Sequence, residues 1–466
     1  MTRFWTPWEG RPRPHYSGLS ALLAGLGRGV YRVAAPVVRH RWFAAPVFFG
    51  VVVLGVVFVW LCGLFNEAVL ADYPVLRDLL VVTGLAIFVS LVPVFCIWWE
   101  RKVAGRMQSR CGVMRVGGWH GWAQSPADGI KCLTKEDLVP DDADPVLFRL
   151  APYFALTPVV VAFVALPFGT YWVFRHLEVG LIFVLGMLGV EVVAVIMAGW
   201  ASASKWTVFG AMREACQMVS YEIPLGIALL LPVMTVGTLN LAEIGNAQAG
   251  GWHTWLVFRS PFLFVAALVY FITSLASCKR APFDLPEGES ELVGGYHTEY
   301  SGMRWALFFF AEYVAMFVVS ALAVILFFGG WNSVLPDRWG EVLGDGYLAR
   351  AVRGVVFGGP LWFLVKSFLL IYVQMWLRWT LPRIRIDQVL YACVQVMLPL
   401  AMVLLLGHTL WELWLPPELI AARVVNVILA VIGAGLLLAA LAVIIRSRLN
   451  ARRLVGYLAV DLLPGA

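Results

Sequence analysis

An all-α polytopic membrane protein is the fold class this sequence predicts, and three observations carry the prediction. Hydrophobic residues make up 61% of the 466 and charged residues only 14%, with a mean hydropathy of +0.81, whereas soluble domains carry about 25% charged residues. Ten apolar stretches approach the roughly 20 residues that a helix needs to cross a bilayer core. Lysine and arginine, finally, are strongly biased toward alternate connections, as in a chain threaded repeatedly through a membrane.

Taken in order, residues 1–43 are polar and basic, with Pro7, Pro12 and Pro14 among seven arginines, and read as a cytoplasmic N-terminal extension. The apolar run 44–65 lacks a short basic n-region and a small-x-small cleavage site, so it reads as a spanning helix rather than a signal peptide. Further spans fall near 79–99, 147–171, 180–200, 222–240, 261–279, 305–328, 355–378, 394–414 and 421–445, and a basic tail, 446–466, closes the chain. With the amino terminus inside, the inside segments hold 26 of the 35 Lys and Arg and the outside connections six. That asymmetry fixes the orientation and makes this a multi-pass protein of the cell inner (cytoplasmic) membrane. The net charge of +6 is then a consequence of topology, and no nucleic-acid partner is expected. Seven scattered cysteines form no Cys-x-x-Cys pair, so no metal or iron–sulfur cluster is expected on this chain.

Three long inside connections, 100–146, 200–221 and 279–304, stand out, because a minimal bundle joins its spans in a few residues. The first opens on Glu100-Arg101-Lys102 and sets Arg106, Arg110 and Arg115 among glycines, a pattern suited either to an anionic or carbonyl-bearing ligand or to lipid head groups. Within it Trp119, Trp122, Pro126, Ile130 and Leu133 recur at three-to-four spacing, with Asp128, Lys131, Lys135 and Glu136 elsewhere. That spacing predicts an in-plane amphipathic helix, which either seals the bundle or gates an amphiphilic ligand. The second connection offers Arg213 and Glu222, which read either as an ion pair between helices or as part of a line of carboxylates leading inward. Glu191 falls near the middle of its span, where an ionised carboxylate costs about 2.5–3.5 kcal/mol, so it reads as a proton-relay group or a hydrogen-bonded structural acid. Lys366, halfway along the 355–378 span, raises the same question, with an interior ion pair as the plainer answer.

The third connection and its flanks, Cys278 to Tyr313, concentrate Asp284, Glu287, Glu289, Glu291, Glu299 and Glu312 beside only Lys279, Arg280 and Arg304. Carboxylates at that density must be solvated, paired or kept protonated. Pro286-Glu287 suits a helix start, which would place Glu287 and Glu291 on one face, where mutual repulsion raises the pKa of one of them. A solvated acidic loop that docks a basic partner is the alternative.

Several of these segments together resemble the quinone-proximal membrane subunit of respiratory complex I, the H-subunit family of NADH-quinone oxidoreductases. The resemblance rests on ERK at 100–102, QSPADGIKCLTKED at 124–137, GWASASKW at 199–206, GAMREACQMVSYE at 210–222, RAPFDLPEGESELVGGYHTEYSGMRWALFFFAEY at 280–313 and LPRIRIDQ at 381–388. It covers about 79–414, an eight-helix core, and leaves 44–65 and 421–445 as one extra helix at each end.

Such a resemblance implies a subunit that is not catalytic alone. It would join soluble iron–sulfur subunits to the other membrane-arm subunits, line a tunnel for ubiquinone or menaquinone, and couple quinone reduction to proton translocation. The quinone-tunnel or coupling residues are then Glu100, Arg101, Arg110, Arg115, Trp119, Asp128, Lys135, Glu136, Arg280, Asp284, Glu287, Glu289, Glu291 and Arg304. Proton-path candidates are Glu191, Arg213, Glu222, Glu299, Glu312 and Lys366, of which Glu191 matches no family position. Gly112 to Gly118 lacks the two prolines and the asparagine usual in the family, which leaves quinone type open. A membrane component of a related hydrogenase and a stand-alone ion transporter remain the alternatives.

Overall fold

The computed structural model describes residues 74–414 apart from 118, 170–172, 176 and 336–357, and scattered positions between 424 and 442. The expected terminal segments 1–43, 44–65 and 446–466, and most of the 421–445 span, lie outside the described residues. Among the described residues the helices are α1 (Pro74–Met107), α2 (Gln124–Thr134), α3 (Pro145–Ala162), α4 (Gly180–Ala201), α5 (Lys205–Val236), α6 (Leu241–Asn246), α7 (Pro261–Ser277), α8 (Glu289–Leu292), α9 (Gly302–Phe327), α10 (Pro360–Thr380) and α11 (Ile386–Trp414). Seven of them are long and apolar enough to cross a membrane, and α7, at 17 residues, is a shorter apolar helix. This is an all-helical, multi-pass membrane protein, and these eight helices fall on the eight core spans expected from the sequence.

Three boundaries differ from expectation, each for a local reason. The 147–171 span ends as a helix at Ala162, giving way to the tight turns Val164 N–H to Val161 O and Leu166 N–H to Phe163 O. Pro167 follows, and proline both lacks a donor and keeps its predecessor out of helical geometry. The connection 200–221 is mostly no loop: α5 begins at Lys205 and runs unbroken through 222, so only Ser202 to Ser204 turn. Residues 205–221 contain a single glycine and no proline, so propensity favours continuation. The amphipathic segment is also shorter than 119–135. It splits into a turn at Trp119–Gly121, where His120 adopts φ 57°, and the 11-residue α2, whose buried side chains are Ser125 and Cys132 while Leu133 is exposed. Within α11, residues Tyr391–Met397 form a π-helical stretch.

The chain divides into two compact units. The first comprises the described residues up to 160 with 189–214 and 286–315, and the second comprises 161–188, 215–285 and the described residues from 316 onward. In the first, α4 buries Ala194, Ala198 and Ala201 and exposes Val193, Ile196 and Trp200; α3 buries Ala151 and Ala155 and exposes Leu150, Tyr153 and Phe154. Small residues inward and bulky ones outward are what helices need to pack closely in lipid. These alanines close around Phe148, Tyr296, Tyr300 and Phe308, with Phe148 and Tyr300 stacked at 4.0 Å and the Tyr300 hydroxyl donating to the Phe148 carbonyl at 3.2 Å.

In the second unit, the Tyr270 hydroxyl of α7 donates to the Val319 carbonyl of α9 at 2.9 Å. Gln248 has no room for an unmet amide and meets all of its demand: Nε2 donates to the Ile244 and Ile325 carbonyls, and Oε1 accepts from Leu256 N–H and Gly329 N–H. His408 of α11, fully buried, lies between the hydroxyls of Thr235 (2.8 Å) and Ser260 (3.2 Å). Such paired polar groups are the form in which polar side chains persist inside an apolar bundle.

Candidate functional site

Gly288, with φ 29° and ψ 51°, stops the chain from entering a helix at Pro286, and α8 therefore spans only Glu289–Leu292 before Val293 turns it at φ 66°. The expected i, i+4 pairing of Glu287 with Glu291 does not form. Instead the two acids part: Glu291 is exposed and pairs with Arg213 of α5 at 2.5 Å, while Glu287 is only 9% exposed, with Oε1 3.4 Å from Nε2 of His297. Arg213 therefore has a partner other than Glu222, which lies on the same helix nine residues on, roughly 13 Å along the axis. The loop folds back on itself at Gly295, φ 63°, directly against the Pro286 carbonyl, and α5 approaches it at Gly210, where an added Cβ would lie 2.6 Å from the Tyr296 nitrogen.

Tyr296 is buried in the same unit as these acids. It is 3% exposed, and its phenol is held well above the ordinary tyrosine range, first by burial and then by the fields of Glu287, Glu312, Glu214 and Glu191. Those four carboxylates come from the loop, α9, α5 and α4, and each is buried. A buried carboxylate persists only when paired, hydrogen-bonded or protonated. Glu100 of α1 is also buried and accepts a hydrogen bond from the Tyr313 hydroxyl at 2.8 Å. Sequence reading picked out Glu100, Glu191, Glu287 and Glu312. It passed over Glu214, Tyr296, His297 and Tyr313, although the aromatic run Tyr296-His297 inside an acidic stretch was a visible signal.

Other sequence candidates sit at the edges of this unit. Arg101 pairs with Asp128 of α2 at 2.5 Å, and Gln124 and Lys131 also donate to that carboxylate. Burial alone would raise the Asp128 pKa, but Arg101 and the two further donors outweigh it and hold the carboxyl below the usual aspartate range. A depressed carboxyl pKa contributes stability above the unfolded value and loses it as pH falls through the folded one. Asp128→Asn is accordingly expected to raise hydrogen exchange in α2 roughly two- to fivefold at neutral pH, the scale of a partly exposed ion pair. Wild-type protein should approach the variant's exchange only below about pH 4.

Arg304 pairs with Asp137 at 2.8 Å and lies over the Phe148 ring. Arg110, Arg115, Lys135 and Glu136 are exposed and Glu299 is half-buried, so none of these five belongs to the buried group. The side chains of Trp119 and Glu289 lie outside the described residues.

Arg280, Asp284, Glu222 and Lys366 belong to the second unit. Arg280 is buried and Asp284 and Glu222 are half-buried. Among the described residues Lys366 has no ion-pair partner: its ammonium donates to the carbonyls of Phe328, Gly330 and Asn332 and lies 4.2 Å from the centre of the Trp255 ring. A cleft of about 590 Å³ in this unit is lined by Glu178, Val233, Met234, Asn240 and Glu243, which sequence reading did not single out. Among the described residues no group of three or more His, Cys, Asp or Glu is arranged to hold a metal.

Comparison with known proteins identifies the family. The family model described as NADH dehydrogenase matches residues 80–409. The chain is 46% identical over 334 residues to the H subunit of NADH-quinone oxidoreductase from Chlorobium luteolum, covering 71% of this chain and 88% of that one. Against the protein of the same name from Anaeromyxobacter dehalogenans the identity is 44% over 329 residues, 70% and 79% of the two chains. Against that of Geobacillus thermodenitrificans it is 42% over 325 residues, 70% and 89%. A match over most of the chain, at these identities and on an all-helical membrane bundle, means that the protein belongs to the NADH dehydrogenase family, among the H subunits of NADH-quinone oxidoreductases.

Proposed function

We propose that this chain is the H-type membrane component of a proton-translocating NADH-quinone oxidoreductase in the cytoplasmic membrane. In that role it borders the path of ubiquinone or menaquinone and couples quinone reduction to proton movement through its buried acids. Its relatives' names supply the complex and the substrate class. The observation that supports the coupling role is that four carboxylates, Glu191, Glu214, Glu287 and Glu312, are buried within one compact unit of the bundle. Redox chemistry belongs to the soluble iron–sulfur partners. This chain's own residues hold protons: when negative charge develops near the cluster, a carboxylate there takes up a proton, and relaxation of the charge releases it.

Glu287→Gln tests the reading in membranes that hold the assembled complex. Glutamine keeps the size and the hydrogen-bonding capacity but cannot ionise. Assembly is expected to persist while NADH-driven quinone reduction and the accompanying proton uptake fall about tenfold or more, the lower end of what a positioned proton-transfer group contributes. Unchanged quinone-linked turnover and uptake would remove Glu287 from the coupling path. Hydrogen-linked turnover without quinone would instead move the chain to a related membrane-bound hydrogenase, and ion transport by the purified chain alone would make it a transporter.

A further inference from the structure

His297 is placed unlike any other described histidine. The residue is 9% exposed, and its ring is flanked by Tyr296 at 5.0 Å, Phe309 at 5.5 Å and Trp305 at 6.1 Å between centroids. Its Nε2 is buried and makes no hydrogen bond, yet it stands 3.4 Å from Oε1 of the equally buried Glu287. A buried polar nitrogen without a partner is costly, commonly about 1–3 kcal/mol, and Glu287 Oε1 lies only roughly 0.5 Å beyond ordinary hydrogen-bond distance. Among the described residues, Glu287 from the loop, Tyr296 on its own turn, and the uncharged Trp305 and Phe309 from α9 face this ring. Glu191, Glu214 and Glu312 are buried in the same unit.

Resting on the coupling role proposed above, we infer that His297 is the proton-holding partner of Glu287. Glu287 as the neutral acid passes its proton from Oε1 to Nε2 of His297. The O–H bond breaks as the N–H bond forms, and the product is a carboxylate–imidazolium pair in direct contact. No electrons move. The ring must start as the Nδ1–H tautomer, with Nε2 open to accept. The consequence is that Glu287 can become a carboxylate without sending its proton to water and without adding net charge to a cluster that already holds three other acids. An ion pair drawn together in a low-dielectric setting costs far less than an isolated buried carboxylate. The step is a two-position element that charge elsewhere in the cluster can tip either way.

A double-mutant cycle in the assembled complex tests this. His297→Asn and Glu287→Gln are each expected to slow quinone reduction about tenfold or more, and the two variants should share one altered pH profile. The double variant should be no slower than Glu287→Gln alone, because the two groups act as one unit. Wild-type turnover in His297→Asn would overturn the inference, as would losses that multiply in the double variant or a pH profile that does not change. Failure of both His297→Asn and His297→Gln to assemble, judged by abundance on native gels, would assign the ring a structural role and overturn it equally. If Glu287→Gln is itself without effect, the coupling role fails; if Glu287→Gln slows turnover and His297→Asn does not, only the present inference fails.

Discussion

Gly295→Ala is expected to abolish accumulation of an assembled, quinone-reducing complex. Gly295 holds φ 63°, a conformation that disfavours any side chain, and an added Cβ would fall within the van der Waals envelope of the Pro286 carbonyl oxygen, 2.7 Å from its carbon and 2.8 Å from the Glu287 Cα. All three of those atoms are backbone, so no side chain can rotate away to make room. The conformational and steric costs together come to about 2–5 kcal/mol, a large fraction of what holds a folded protein together. Relief requires the 286–288 segment to move away from 295–297, which carries Glu287 off His297 and Tyr296 off α5. Abundance on native gels and NADH-driven quinone reduction measure the outcome. A Gly295→Ala complex that assembles and turns over normally would show that the close fold of this loop is dispensable.

Gly295 also marks the limit of what the letters could say. The eight core spans were legible because bilayer thickness imposes a length and a composition on each helix, and both are written locally. Local rules misplaced three boundaries. At Pro167 the rule was present and outweighed by apolar content; at 200–221 polar residues suggested a loop where helix propensity continued the chain; at His120 a left-handed residue split a segment whose spacing looked continuous. The site was legible in its residue types and not in its pairings. Six acids between Cys278 and Tyr313 announced themselves, but their partition depends on Gly288 and Gly295, whose positive φ values separate Glu291, paired with Arg213 at the surface, from Glu287, buried beside His297. Glu214 shows the same limit from the other side. It is adjacent to Arg213 in sequence, but in a helix neighbouring residues face different directions, so Arg213 reaches Glu291 while Glu214 is wholly buried.

Lys366→Met is expected to destabilise the bundle rather than to interrupt a proton path. Its ammonium has three donors, and the structure gives each an acceptor: the carbonyls of Phe328 at 2.7 Å, Gly330 at 3.2 Å and Asn332 at 2.6 Å. These carbonyls belong to the segment that leaves the C-terminus of α9, where a helix leaves acceptors unmet and its dipole is negative. Trp255 covers the same charge at 4.2 Å, which adds a cation–π contribution. Lysine from α10 thus replaces both the missing intrahelical donors and the water that would otherwise be drawn to them. Methionine fills similar volume but donates nothing, and its loss of charged hydrogen bonds at a half-buried site costs about 2–4 kcal/mol. Arginine does not restore the site, because its planar fork directs donors within one plane while three carbonyls converge on a compact ammonium. The expected result is therefore reduced abundance and faster thermal inactivation of the complex in both Lys366→Met and Lys366→Arg, with turnover per assembled complex near wild type. The opposite pattern, normal abundance with quinone reduction intact and proton translocation lost, would return Lys366 to the proton path and show that its three carbonyls hold a mobile charge rather than a fixed one.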